Sequence, residues 1–380
     1  MTVEVITDFN NTVLKENWGK LLKKNRYDNV HLTYEWLKTW WDFYGEGKDL
    51  FILLVKKDSE VVGIAPLMIS SFKIFPGIEL RRVEFIGTGL SDYHDLIIAE
   101  EKREVLKVIF DHLKSYDKWQ LIRLRHLSEC SGNLPYLRQT VNSHNWRVVD
   151  RVAVRCPCIP LDTPWDVYFK KSISRNLRRD VKKRINKLKK IGEIRYKRVT
   201  DKDEILKYLD SIFSIHQKRW EVKKERCFFP LWVERNKNFL RKITEIFGLK
   251  GWLALLLLFS NNRIIAYMYC FSYNDKMYAW NTAFDFDYFQ FSPGKVLHKY
   301  AIEDLMRSDY KEFDLMRGDE AYKLGWTKLM RDNYEIIIYK RSPLSLLTAF
   351  YYLRLKPFLE KNRIVNRILG ISFIEKLMRR

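Results

Sequence analysis

Six side chains suited to binding or proton transfer crowd one stretch near the end of the chain: Arg317, Asp319, Glu320, Tyr322, Lys323 and Trp326. The segment before them, Glu312 to Met316, reads as a strand, so the loop sits at a strand's carboxyl end, where α/β folds place their sites. Asp319 or Glu320 can accept a proton from an amine or hydroxyl, and Tyr322 can return one to a departing thiolate. Lys323 can pair with a phosphate or with one of the acids. Packing alone does not call for such a set, although Asp319, Glu320 and Lys323 would serve equally in a solvated, salt-bridged turn.

Just upstream, Ser292-Pro293-Gly294-Lys295 forms a tight turn into a helix whose Leu297, Ala301 and Leu305 face inward. A helix start offers free backbone N–H groups and partial positive charge, which suit a pyrophosphate. Ser292 can cap this helix, Gly294 lets a ligand approach the backbone, and Lys295 adds charge. An ordinary strand-to-helix turn uses the same residues. His216, Arg219 and Trp220 close an earlier helix; they reach the groove or serve the core. Asp92, His94 and Asp95 form a polar cluster that nothing else marks as a metal site. Cys156 and Cys158 have no second Cys/His pair nearby and read as buried thiols.

These residues need a scaffold, and the hydrophobic pattern supplies an α+β (α/β) one. Leu50 to Val55 and Val61 to Met68 form a hairpin, followed by further strands, a helix over Glu101 to Lys114 and a strand at Gln120 to Leu124. The second half repeats the order: a hairpin at Trp252 to Tyr273, a strand at Met277 to Ala283, the helix after Gly294 and the strand at Glu312. The expected organisation is two domains, 1–160 and 161–341, each a mixed central sheet flanked by helices, then a basic amphipathic tail, 342–380. A basic helix over 170–190 sets Arg175, Arg178, Arg179 and Lys182 above an apolar stripe of Ile173, Leu177, Val181, Ile185 and Leu188. It suits RNA phosphates, anionic lipid or a polyanionic substrate, or is a solvated face. Apolar and basic residues alternate along the tail in two stretches, the second over 364–380, as in interfacial helices or segments that pack on a partner.

The chain has 69 Lys and Arg against 47 Asp and Glu, a formal net charge of +22, with 47% hydrophobic residues. That balance excludes a disordered polymer and draws anions, without choosing among nucleic acid, anionic headgroups and phosphorylated small molecules. The opening residues carry no basic-then-apolar leader, and the apolar run Trp252 to Phe259 is too short for a bilayer. A cytoplasmic location, peripheral at the inner membrane face at most, is expected.

The order of the basic helix, His216-x-x-Arg219-Trp220, Ser292-Pro293-Gly294 and Arg317-Gly-Asp-Glu-x-Tyr-Lys-x-x-Trp326 resembles the CelD/BcsL-like acetyltransferases. Val62 to Leu67 and Asp92-Tyr93-x-Asp95 add to the likeness, which spans roughly residues 20 to 340. The resemblance implies tandem GNAT-type (Gcn5-related N-acetyltransferase) domains, related in architecture to Fem-type aminoacyltransferases. It implies an acyl-CoA donor, acetyl-CoA or a longer one, held at Ser292, Pro293, Gly294 and Lys295, and no metal. The acceptor would be an amine or hydroxyl of a sugar or of a cell-envelope or exopolysaccharide precursor. His216, Arg219, Trp220, Arg317, Lys323 and Trp326 would bind it, and Asp319, Glu320 and Tyr322 would catalyse. Aminoacyl-tRNA-dependent transfer is the second enzymatic reading, with the basic helix on tRNA; a non-catalytic envelope-binding protein is the third.

Overall fold

The structure, a computed structural model, describes residues 1–25, 27–75, 78–223, 227, 229–355 and 358; the second tail helix expected over 364–380 lies outside them. The first elements are β1 (Thr2–Ile6), α1 (Thr12–Lys24), α2 (Tyr34–Tyr44), β2 (Lys48–Lys57), β3 (Glu60–Phe75), β4 (Ile78–Phe85) and β5 (Ile97–Ile98). They continue with α3 (Lys102–Ser115), β6 (Leu121–Ser128), α4 (Leu134–Ser143) and β7 (Arg147–Pro160). Next come α5 (Trp165–Lys171), α6 (Arg175–Lys189), β8 (Ile194–Val199), α7 (Lys202–Lys223), α8 (Glu234–Leu249), β9 (Leu253–Ser260), β10 (Arg263–Tyr273) and β11 (Lys276–Phe284). The last are α9 (Pro293–Leu305), β12 (Glu312–Asp314), α10 (Ala321–Leu324), β13 (Met330–Tyr339) and α11 (Pro343–Phe350).

Two compact units result, residues 1–153 with 333–380, and residues 154–332. Within the first, the strands run β1-β2-β3-β4-β6-β13, antiparallel except for the parallel pair β4/β6. Helix α3 buries Val105, Leu106, Ile109, Phe110 and Leu113 at helical steps against Phe51, Leu53, Val55 and Ala65 of the sheet. Gly63 permits this close packing, because a Cβ there would lie 2.5 Å from Val105 Cγ1.

In the second unit the order is β8-β9-β10-β11-β12-β7, again antiparallel except for one parallel pair, β11/β12. Every residue of β9 is buried, as expected for an inner strand. At about 1.5 to 3 kcal/mol for each buried leucine, this strand anchors the unit. Cys156 and Cys158 are buried thiols outside any disulfide, as read from the sequence.

One expectation changes. The basic helix over 170–190 is two helices, parted where Ser174 takes an extended backbone and accepts the Leu177 amide as the N-cap of α6. Leu177 and Ile185 stay half-buried while Val181 and Leu188 are buried. The cluster of Asp92, His94 and Asp95 is structural: Asp95 accepts from Ser131 Oγ, Asn133 Nδ2 and the Leu96 amide. No metal-holding group occurs among the described residues.

The strand that closes the first unit's sheet arrives from beyond residue 332 and brings Glu335, whose carboxylate is buried against Arg123 and Arg151. Burial alone would raise its pKa, but Arg123, Arg151 and Arg125 together hold it below the ordinary glutamate value. Because the folded pKa is depressed, the stabilisation is full above about pH 4.3 and is lost as pH falls through the folded value. Glu335→Ala is expected to cost about 2 kcal/mol in urea unfolding at pH 7, chiefly by leaving the Arg123 guanidinium without its carboxylate, with the deficit shrinking in acid.

Candidate functional site

The parallel strands β11 and β12 pair only over Lys276–Tyr278 and Glu312–Asp314, and β11 then continues to Phe284 paired with β10 on its other side. Tyr269 faces Asn281 and Cys270 faces Ala279, so Trp280 is the extra residue of a bulge that redirects this end of the strand. Where the strands part lies a cavity of about 440 Å³. Its walls are Thr282 and Phe284 of β11, Leu177 of α6, Arg219 of α7, the turn at Phe289, Ser292, Gly294 and Lys295, His298 of α9, and Ala321, Tyr322, Gly325 and Trp326. The two stretches singled out by their chemistry therefore share one space.

The helix mouth at α9 offers fewer free donors than its sequence suggests. Pro293 has no N–H; the amides of Lys295 and Val296 reach the Ser292 carbonyl at 3.0 and 3.4 Å, and that of Ser292 reaches Phe289 at 3.0 Å. Between Ser292 and Val296 only the Gly294 amide is uncommitted. Ser292 is the N-cap residue but makes no side-chain cap, since its left-handed backbone (φ 50°) departs from the extended form from which caps reach the third amide. Gly294 is not required by packing: a Cβ there would meet Phe284 Cδ1 at an ordinary 3.6 Å. Lys295 is paired with Asp180 of α6, and Arg184 of the same helix donates to the Gln290 carbonyl, so α6 is latched onto this turn.

Arg219 is the available cation. It donates to the Thr282 carbonyl at 3.2 Å with its guanidinium 4.9 Å from the Phe284 ring centre, and no carboxylate pairs with it among the described residues. Opposite in role stands His298, only 4% exposed yet part of the cavity wall. Its Nδ1 lies 2.7 Å from the Gly294 carbonyl, which can only accept, so the proton sits on Nδ1 and Nε2 carries a lone pair. The ring stacks on Trp326 at 6.3 Å and 8°, and meets Tyr322 edge-on at 5.3 Å. Burial, aided by the charge of Lys323 and opposed by the Gly294 bond, pushes its pKa down to about 4.

Tyr322 keeps 41% of its surface exposed, but protein crowded around the phenol raises its pKa, so it holds its proton at neutral pH. Lys323 is buried and clamps the loop before it, donating to the carbonyls of Arg317 at 2.7 Å and Gly318 at 3.2 Å while pairing with Glu320 at 2.9 Å. Asp319 and Glu320 are exposed, Arg317 is half-buried, and none of the three lines the cavity. His216 and Trp220 also lie off its wall; His216 is buried with Nε2 3.7 Å from Cys227 Sγ, and burial pushes its pKa down to about 4. Sequence reasoning missed His298, Thr282, Phe284 and Leu177 as wall residues. The spacing of His298, one helical turn after Gly294, was the signal for the first.

A second concavity of about 720 Å³ borders α6, lined by six cations (Lys170, Arg175, Arg178, Arg179, Lys182 and Lys299) and one acid, Asp166, over a floor of Phe169, Val181 and Ile185. Of these cations only Lys299 has a carboxylate partner, Glu303, among the described residues.

Residues 175–324 match the family model described as an acetyltransferase (GNAT) domain. No curated protein matches the chain. Among solved structures, FemX is similar over 91% of this chain and 99% of its own, at 13% identity and TM-score 0.62. L-PGS from Bacillus licheniformis is similar over 93% and 98%, at 13% identity and TM-score 0.54. The C-terminal domain of a putative lysylphosphatidylglycerol synthetase from Agrobacterium fabrum is similar over 87% and 96%, at 10% identity and TM-score 0.53. At these identities the likeness is one of fold: an α+β architecture of GNAT type, with mixed sheets flanked by helices.

The His298 geometry has a spectroscopic consequence. Because its folded pKa lies below the unfolded value of about 6.5, the neutral ring stabilises the fold above that pH, and the contribution is lost as pH falls toward 4. Nitrogen-15 spectra of the imidazole are expected to show the neutral Nδ1–H tautomer from pH 8 to about 5; titration near 6.5 would contradict the hydrogen bond to Gly294.

Proposed function

We propose that residues 154–332 form an acyltransferase that passes an acyl group directly from an activated ester to an amine or hydroxyl. The observation that carries this reading is one cavity lined by His298, whose Nε2 holds a lone pair, by Tyr322, which keeps its proton, and by Arg219, with which no carboxylate pairs among the described residues. The acceptor's lone pair attacks the acyl carbon; the new bond forms as the carbonyl electrons move onto oxygen, whose charge Arg219 offsets. His298 Nε2 takes the proton that the nucleophile loses, the ester bond breaks, and Tyr322 supplies a proton to the leaving group. The base role falls to His298 rather than Asp319 or Glu320 because those acids stand outside the wall.

The donor in this proposal is an aminoacyl-tRNA. Its support is the cationic groove on α6, beside the cavity and floored with apolar residues against which unpaired bases can pack. The scarcity of free amides at Ser292 to Val296 weighs in the same direction, since a diphosphate would find one. Acyl-CoA is the second reading, favoured by the acetyltransferase family model. The acceptor remains a cell-envelope or exopolysaccharide precursor, as the CelD/BcsL-like resemblance implies, and the shared strand order of the two units supports a duplicated GNAT fold.

Thermal unfolding with acetyl-CoA, deacylated tRNA and aminoacyl-tRNA separates the donors, because only a true ligand stabilises in proportion to its excess over Kd. Aminoacyl-tRNA is expected to raise Tm and acetyl-CoA to leave it unchanged; the reverse result transfers the proposal to acyl-CoA. Charge reversal of Arg178, Arg179 and Lys182 is expected to flatten the slope of log affinity against log salt by about 2 to 3. With the donor known, Tyr322→Phe is expected to lower kcat about a hundredfold with little change in KM.

A further inference from the structure

The helix α11, in the unit formed by residues 1–153 and 333–380, is amphipathic in the reverse sense. Its buried residues are the small Ser345, Thr348 and Ala349, while Leu346 at 46% and Phe350 at 58% exposed face outward with Leu344 and Leu347. These outward positions recur at helical steps, so they form one surface rather than scattered exposures. The inward face is complete in itself: Ser342 caps the helix at the Ser345 amide, and Thr348 Oγ1 donates to the Leu344 carbonyl. Leucine and phenylalanine turned to water while small residues turn inward mark a face that is covered in use. No helix among the described residues is long and apolar enough to cross a membrane, so a covering bilayer would be met at its surface.

Charge points to what covers it. Arg341 and Arg354, at either end of the helical segment, are exposed and have no carboxylate partner among the described residues. From residue 341 onward the sequence holds nine Lys and Arg, and its acids are Glu360 and Glu375 alone. A protein partner or a second copy is typically met by mixed charge at the rim of an apolar patch. Apolar residues flanked by an excess of cations, on a chain of net charge +22, match acyl chains beneath anionic headgroups.

We propose that α11 docks this protein on an anionic bilayer surface, with Leu346, Leu347 and Phe350 entering the interface and Arg341 and Arg354 on the headgroups. The proposal is independent of the acyl-transfer reading and is tested without any donor. The full chain is floated with vesicles of phosphatidylcholine alone or mixed with phosphatidylglycerol. The expected result is flotation with the anionic vesicles only, weakened by salt. In the L346E/F350E double variant the binding constant is expected to fall at least about tenfold, with Tm and mass in solution unchanged, because neither side chain packs inward. Failure of the parent chain to float, or equal flotation of the double variant, overturns the proposal. A drop in Tm, or loss of a dimer by light scattering, also overturns it, since the face would then be covered by the chain's own tail or by a second copy.

Discussion

The site depends on two parallel strands that pair for three residues and then separate. Pairing of β11 with β12 ends at Tyr278 and Asp314, and the bulge at Trp280 swings the rest of β11 off the partner's line. Without that separation Thr282 and Phe284, already paired with β10, would be laddered on both sides, and neither α9 nor the Lys323 loop would border open space. A parted sheet exposes backbone polar groups, and the molecule satisfies some of them locally: the Thr282 carbonyl accepts from Arg219, while Lys323 collects the carbonyls that follow β12.

The polar side chains around the opening divide into those used up by structure and those left free. Lys295 neutralises Asp180, and Lys323 is spent on carbonyls and Glu320. What faces the cavity is Arg219, which no carboxylate pairs with among the described residues, together with His298 and Tyr322, and burial biases these last two toward the forms the proposed chemistry uses. The hydrogen bond from His298 to the Gly294 carbonyl is central to that bias, since it fixes the tautomer while the Trp326 stack fixes the ring.

Helix α6 links the two concavities of its unit. One side is latched to the turn before α9 through Asp180 and Arg184 and lends Leu177 to the cavity wall; another side carries the cationic groove. Leu177 and Ile185 pack against the unit's core and also border the two concavities, and both are half-buried.

Local pattern determined much of this protein from sequence alone. The apolar hairpin strands, the turn at Ser292 to Gly294 and the strand before Arg317 are set by neighbours along the chain, so they and the grouping of Gly294 with Tyr322 and Trp326 were legible. The roles within the loop were not: Lys323 looks like a ligand in sequence, yet burial turns it into a clamp, and Asp319 and Glu320 fall outside the wall. Nor was the proton state of His298 readable, although its spacing from Gly294 was, because its tautomer rests on one carbonyl and its neutrality on being enclosed. Helical spacing supplied the apolar positions of the tail, whereas the outward turn of Leu346 and Phe350 follows from which face of α11 meets the sheet. Spacing and type settle which groups can meet; desolvation and partner supply, which belong to the folded chain alone, settle what each of them then does.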